Sequence, residues 1–126
     1  MKFESIGLIG YGEVGKIFSG GLLGQPGVTA VSAWDVKLVQ PATQAAQQAH
    51  ASQAGVTAQP SMLALCAAST LILSAVTASN TLAVAQEAAA FIRPGTVFLD
   101  LNSASPGTKQ QCAALINAAG GHYVEA

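Results

Sequence analysis

The tightest constraint on this chain is a run of three glycines, Gly10-Tyr11-Gly12-Glu13-Val14-Gly15, set between an apolar segment and an amphipathic one. Residues 3–9 read as a short strand, and Val14, Ile17, Phe18, Leu22 and Leu23 then recur at helical spacing. A backbone that turns from strand to helix within a few residues needs freedom from side-chain sterics at the turn, and Gly10 supplies it. Gly12 leaves the main chain open to close approach, and Gly15 lets the helix lie near the strand it follows. Gly20, Gly21, Gly24 and Gly27, with Pro26, are expected to end that helix.

The rest of the chain repeats the same alternation. Residues 28–34 form a second strand ending at Asp35, and a glutamine- and alanine-rich helix follows Pro41 to about residue 53, stopped by Gly55. Residues 56–58 are a very short third strand, and Ser61 caps a short helix carrying Met62, Leu63, Leu65 and Cys66. Residues 70–76 are the most continuous apolar run, as expected of a strand buried on both faces. Ser79 or Asn80 opens a helix through Ile92, closed by Pro94-Gly95, and residues 96–101 are a further strand. Ser105 followed by Pro106 places an N-cap before an N1 proline, for a helix to Ala119. Residues 122–125 begin one more strand.

Strands joined by helices are parallel neighbours, since a hairpin cannot connect them. Right-handed crossovers then give an α/β fold of Rossmann type, a doubly wound, mostly parallel sheet with helices on both faces. At 126 residues the chain reads as one domain, residues 1–126.

Charge narrows the function. A net charge of −1 offers no electrostatic case for nucleic acid or an anionic membrane surface. No Asp, Glu, Lys or Arg occurs between Lys37 and Glu87, but the uncharged window 62–84 holds seven Ser, Thr and Asn residues, too polar for a membrane span. The amino terminus, with Lys2 and Glu4 ahead of any long apolar stretch, is not a secretory signal, so the expected location is cytoplasmic. Cys66 and Cys112 form neither a disulfide framework nor a metal pattern and read as buried, inert thiols. Only 9% of residues are charged. Either the 25 alanines of the composition account for this, or part of the surface is covered by something else.

The glycine run becomes a chemical signal through its context. It follows a strand, opens a helix, and precedes by twenty positions an acidic residue, Asp35, at the end of the next strand. A helix N-terminus presents unpaired N–H groups and partial positive charge to phosphate. Residues 10–15 are thus expected to cradle a dinucleotide pyrophosphate, with Asp35 accepting the ribose hydroxyls of NAD and repelling the 2′-phosphate of NADP. Val36 stands where an arginine would favour NADP, whereas Lys37 leaves NADP open. Ala75, Val76 and Thr77, at the end of the central apolar strand, are expected beside the same ligand. Asn102 and Ser103, within Asp100-Leu101-Asn102-Ser103-Ala104-Ser105-Pro106, lie at the carboxyl edge where open α/β sheets bind ligands, and are expected to contact nicotinamide ribose or substrate. His50 and His122 have no acidic or serine partner at recognisable spacing, and Lys16 and Lys109 read as solvated helix charges.

Together these motifs resemble the β-hydroxyacid dehydrogenase family, which includes 3-hydroxyisobutyrate, tartronate-semialdehyde and 6-phosphogluconate dehydrogenases. The stretch Ile6-Gly7-Leu8-Ile9-Gly10-Tyr11-Gly12-Glu13-Val14-Gly15 looks like that family's GxIGxGxMG opening, with Val14 where methionine is common. Asp100 to Pro106 resembles its D-x-S-T-x-x-P segment, and Asn102-Ser103 echoes the N-S pair of 6-phosphogluconate dehydrogenases. Gly120-Gly121-His122-Tyr123-Val124-Glu125-Ala126 is similar to its G-x-x-x-x-D-A run.

The resemblance implies a cofactor domain. In the family, a serine–glycine–glycine substrate loop, a catalytic lysine and an asparagine lie beyond the point where this sequence stops, in and before a helical carboxy-terminal domain. The implied whole-protein chemistry is hydride transfer between a nicotinamide cofactor and a small hydroxy acid, with that lysine as acid–base. The chain alone is then expected to bind dinucleotide and turn over little. Its surface would pack against the further domain or a second copy, and the hydroxy acid would bind only with that domain. A free-standing nucleotide-sensing module without catalysis is the alternative.

Overall fold

The structure, a computed structural model, describes residues 3–125; Lys2 and Ala126, both read above, lie outside the described residues. Strand β1 (Ser5–Ile9) leads into helix α1 (Glu13–Leu23), then β2 (Ala30–Trp34), α2 (Gln44–Ala54) and the two-residue β3 (Thr57–Ala58). Helix α3 (Met62–Ala68) crosses over to β4 (Leu71–Ser74), followed by α4 (Thr81–Ala89), β5 (Val97–Asp100), α5 (Pro106–Ala118) and β6 (His122–Glu125). The strands lie in the order β3-β2-β1-β4-β5-β6, and every neighbouring pair is parallel. This is the expected Rossmann sheet, and its order reverses between β1 and β4.

Alternation along each strand decides which helices cover which face. Ile6 and Leu8 of β1 and Val31 and Ala33 of β2 pack with Ala51 of α2 and with Leu22 and Leu23 of α1. Ile9, Ile72 and Phe98 point the other way and pack with Met62, Leu65 and Cys66 of α3, Ala88 of α4 and Ile116 of α5. Gly7 shares the second face, where a Cβ would run into the Ser69 hydroxyl and the Leu65 side chain, so α3 sits hard against β1. Over β4–β6 the first face carries Leu71, Val97 and Leu99, half-buried, and Val124, 44% exposed.

The local stop and start signals hold where they are strongest. Gly55 takes the left-handed conformation that ends α2 (φ 77°). Ser61 and Ser105 cap α3 and α5 by accepting from Ala64 N–H and Thr108 N–H.

Three expectations need correction. Helix α1 does not end at Gly20 and Gly21 but runs through both to Leu23. Interior glycine costs roughly 1 kcal/mol, and packing of Gly15, Ser19, Leu22 and Leu23 outweighs it. The apolar stripe of α1 is also only in part its buried face: Gly15 and Ser19 are buried and Leu22 and Leu23 pack on the sheet, while Val14 and Ile17 are 52% and 73% exposed. Close packing near the glycine turn selects the small residues there and leaves Val14 and Ile17 facing outward. Finally, Lys109 is not a solvated charge; it is buried and pairs with Glu125 at 3.4 Å.

Both thiols are fully buried and free, as read from the sequence. Burial first, and then the charge of Glu87, pushes the Cys66 thiol from its ordinary 9.0 up to about 11. A raised acid leaves folding unopposed while the thiol is protonated in both states, and disfavours the folded state once the thiol ionises in the unfolded chain but not in the folded one. Its contribution is therefore complete below pH 9.0 and is lost as the pH climbs through about 11. Urea unfolding midpoints at pH 8 and pH 10.5 should fall less between the two in Cys66→Ala than in the parent protein.

Candidate functional site

A cleft of about 620 Å³ opens at the carboxyl ends of β1, β2 and β4, at the point where strand order reverses. Its walls come from Ile9, Gly10 and Gly12 to Val14, from Trp34 to Lys37, from Ala75 to Thr77, and from Asn80 with Ala83, Val84 and Glu87 of α4; Met62 also lines it.

The first lip is the glycine turn. Gly10 adopts φ +103°, and a Cβ there would run into the Ala75 carbonyl. A Cβ at Gly15 would meet the Gly10 carbonyl, so these two glycines are required by packing. Gly12 differs, for a Cβ there meets nothing within 4 Å. It is also the N-cap of α1 and provides no side-chain acceptor to the first-turn N–H groups. An open, uncapped helix end with no Cβ in the way is a place for an anion to approach the backbone. Glu13 sits in that first turn and lines the cleft, where its carboxylate favours the helix dipole and opposes an incoming anion.

The second lip is Asp35. Its Oδ2 accepts from Tyr11 N–H at 2.7 Å and its Oδ1 from Lys37 N–H at 3.0 Å. The carboxylate therefore stitches the glycine turn to the turn after β2, and it still lines the cleft beside Val36 and Lys37.

The third lip is held from behind. Asn102 is buried; its Oδ1 accepts from Val76 N–H at 2.7 Å, and its Nδ2 donates to the Ser74 hydroxyl at 2.9 Å. Its own N–H donates to Asp100 Oδ1 at 2.8 Å, and Asp100 Oδ2 accepts from the Tyr123 hydroxyl at 2.6 Å. Asp100 is buried, so these two donors are its compensation for leaving water. Burial and the bond to Asp100 push the Tyr123 phenol far up. The chain β6–Asp100–Asn102 thus fixes the segment 75–77 that faces the cleft.

Of the residues singled out from the sequence, Gly10, Gly12, Glu13, Val14, Asp35, Val36, Lys37, Ala75, Val76 and Thr77 come together around this cleft. Tyr11, Gly15 and Asn102 support it from buried positions, and Ser103 is exposed outside it. Trp34, Met62, Ala83, Val84 and Glu87 also line it and carry no motif that would have singled them out.

These bonds yield a pair of contrasting stability changes, read by urea unfolding. Gly10→Ala should cost about 3 kcal/mol or more, from positive φ and collision with Ala75. Asn102→Ala should cost about 2 kcal/mol by leaving Val76 N–H and the Ser74 hydroxyl without a partner.

No curated protein matches the chain. Solved structures do. A conserved hypothetical protein from Sinorhizobium meliloti is 35% identical over 96% of this chain, with a TM-score of 0.88. The 3-hydroxyisobutyrate dehydrogenase of Mycobacterium tuberculosis is 22% identical over 99% of the chain (TM-score 0.82), and a reductive aminase from Aspergillus terreus, solved with NADPH, 20% over 99% (TM-score 0.74). The last two show the shared fold. The chain spans about 40% of the length of each of the three. Residues 5–126 match the family model described as the NAD binding domain of 6-phosphogluconate dehydrogenase. With the glycine turn, Asp35 and the strand order all in place, this match covers nearly the whole chain, which belongs to that family of NAD-binding domains.

Proposed function

We propose that this chain holds NAD(H) in the cleft at the strand-order reversal, as the cofactor part of an oxidoreductase that moves hydride to or from a small hydroxy acid. The observation that carries the reading is Gly12: an uncapped helix start whose missing side chain leaves open space facing the cleft. In this reading the N–H groups at the start of α1 receive the pyrophosphate. Asp35 receives the adenosine ribose, and Ala75 to Thr77 border the path toward the nicotinamide. The dinucleotide, when bound, supplies the hydride donor or acceptor. The protein's own part is to bind, orient and exclude water.

The preference for NAD over NADP follows from a contrast between two charges. Asp35 is pinned by two backbone N–H groups, and in this reading a 2′-phosphate would have to sit beside it. Lys37 is exposed, and its side chain is free to remain in water. A fixed like charge a few ångströms away costs on the order of 1–4 kcal/mol between bulk-water and near-surface screening, more than a mobile, hydrated lysine returns.

The proton-transfer group and the hydroxy-acid pocket belong, in this reading, to a further domain. Two features support it: the solved relatives are about two and a half times as long, and large apolar side chains stand exposed on α1 and β6 (Ile17, Phe18, Val124). Such a surface is what a packed partner would cover.

Calorimetric titration with NADH and with NADPH tests the proposal. NADH should bind at least about tenfold more tightly, a difference of roughly 1.4 kcal/mol. Gly12→Val should remove binding with little change in melting temperature, because a Cβ at this cleft-lining position meets nothing within 4 Å. Tighter NADPH would reverse the cofactor assignment, and absence of binding to either would refute the proposal.

A further inference from the structure

Tyr11 stands between the first two glycines of the turn and is its most heavily anchored residue. Its N–H donates to Asp35, its carbonyl accepts from Gln47 Nε2 at 3.2 Å, and its hydroxyl shares a 2.7 Å hydrogen bond with His50 Nδ1. The imidazole meets the phenol ring edge-on, with centroids 5.5 Å apart at 69°, and Lys16 Nζ lies 5.6 Å from the phenol centroid. Tyr11 is completely buried, whereas His50 is exposed, so an exposed helix residue holds a buried ring by its tip. Gln47 and His50 are three apart on α2 and therefore lie on one helix face. Either partner can be the donor in the hydroxyl–Nδ1 bond, according to the imidazole tautomer.

A phosphate-binding turn works only if its N–H groups stay aimed at one point. This one contains Gly10 and Gly12, the residues with the widest backbone freedom, on either side of Tyr11. We propose that Gln47 and His50 are positioning residues for the phosphate turn: acting through Tyr11, they hold the backbone at residues 10–12 in its receiving shape and set affinity for the phosphate-bearing part of a dinucleotide. The inference rests on the dinucleotide reading above. Neither Tyr11, Gln47 nor His50 lines the cleft, so each acts on the ligand only through the backbone it fixes.

The test is an NMR titration of the 126-residue chain with ADP and, separately, with adenosine, which lacks the phosphates. His50→Ala should weaken ADP about 5- to 10-fold, the worth of one hydrogen bond, and leave adenosine within about twofold. His50→Gln, which retains an acceptor, should recover part of the loss. Tyr11→Phe should weaken ADP similarly, and the double variant Tyr11→Phe/His50→Ala should be no weaker than either alone, since both break one bond. Because His50 is exposed, its variants keep the fold even where Tyr11→Phe does not. Unchanged ADP affinity in His50→Ala, or equal losses for ADP and adenosine, would overturn the positioning role. Failure of the parent chain to bind ADP or NADH would instead overturn the dinucleotide reading, and this inference with it.

Discussion

The carbonyl of Ala75 occupies the space that a side chain at residue 10 would need, and the carbonyl of Gly10 does the same at residue 15. These two backbone approaches set the distance between the end of β1, the start of α1 and the end of β4. They explain why the cleft lies where it does. With Gly10 at φ +103° the chain leaves β1 and enters a helix almost at once, so the uncapped end of α1 opens beside the sheet's carboxyl edge. A residue with a Cβ at either position would push α1 outward and spread the cleft. Gly12, where a Cβ would meet nothing within 4 Å, is the position in the triplet that packing leaves unexplained. In the proposed reading its openness serves the dinucleotide.

Around that turn two carboxylates act as fixed points. Asp35 ties the glycine turn to the end of β2, and Asp100 ties β6 to Asn102 and so to the segment 75–77. Among the described residues, no buried side-chain polar atom lacks a hydrogen-bond partner. A satisfied polar network is rigid, whereas an incomplete one is costly and loose. The three lips of the cleft are thus held by hydrogen bonds to Asp35 and Asn102. Rigidity of this kind lowers the ordering cost that a long, flexible ligand would otherwise impose on its site.

Much of this was legible in the sequence because it is written locally. A glycine triplet between a strand and a helix, Asp35 twenty residues on, Gly55 after a helix, and Ser61 and Ser105 before helices each act within a few residues of themselves. What was hidden is non-local. The helical spacing of Val14, Ile17 and Phe18 marks an apolar stripe but cannot say whether that stripe faces this sheet; the demand for close packing gave the buried side to Gly15 and Ser19. Lys109 carries no sign of its partner Glu125, which lies on another element. Asn102 follows a strand at the ligand-binding edge, and nothing local shows that its amide bonds Val76 and Ser74, 26 and 28 residues away. Trp34, Met62 and Val84 meet in the cleft from three separate segments. The bond between Tyr11 and His50 spans 39 residues and has no motif at all.

The central claim is that an anion-bearing dinucleotide enters at the glycine turn and lies along the carboxyl edge. Backbone amide shifts followed residue by residue during titration with NADH test it most directly. The account predicts the largest shifts at Gly12, Glu13 and Val14, with further shifts at Lys37 and at Ala75 to Thr77, and none along the Leu71, Leu99 and Val124 face of β4–β6. Shifts confined to that sheet face or to the outer side of α1, with the glycine turn silent, would contradict it.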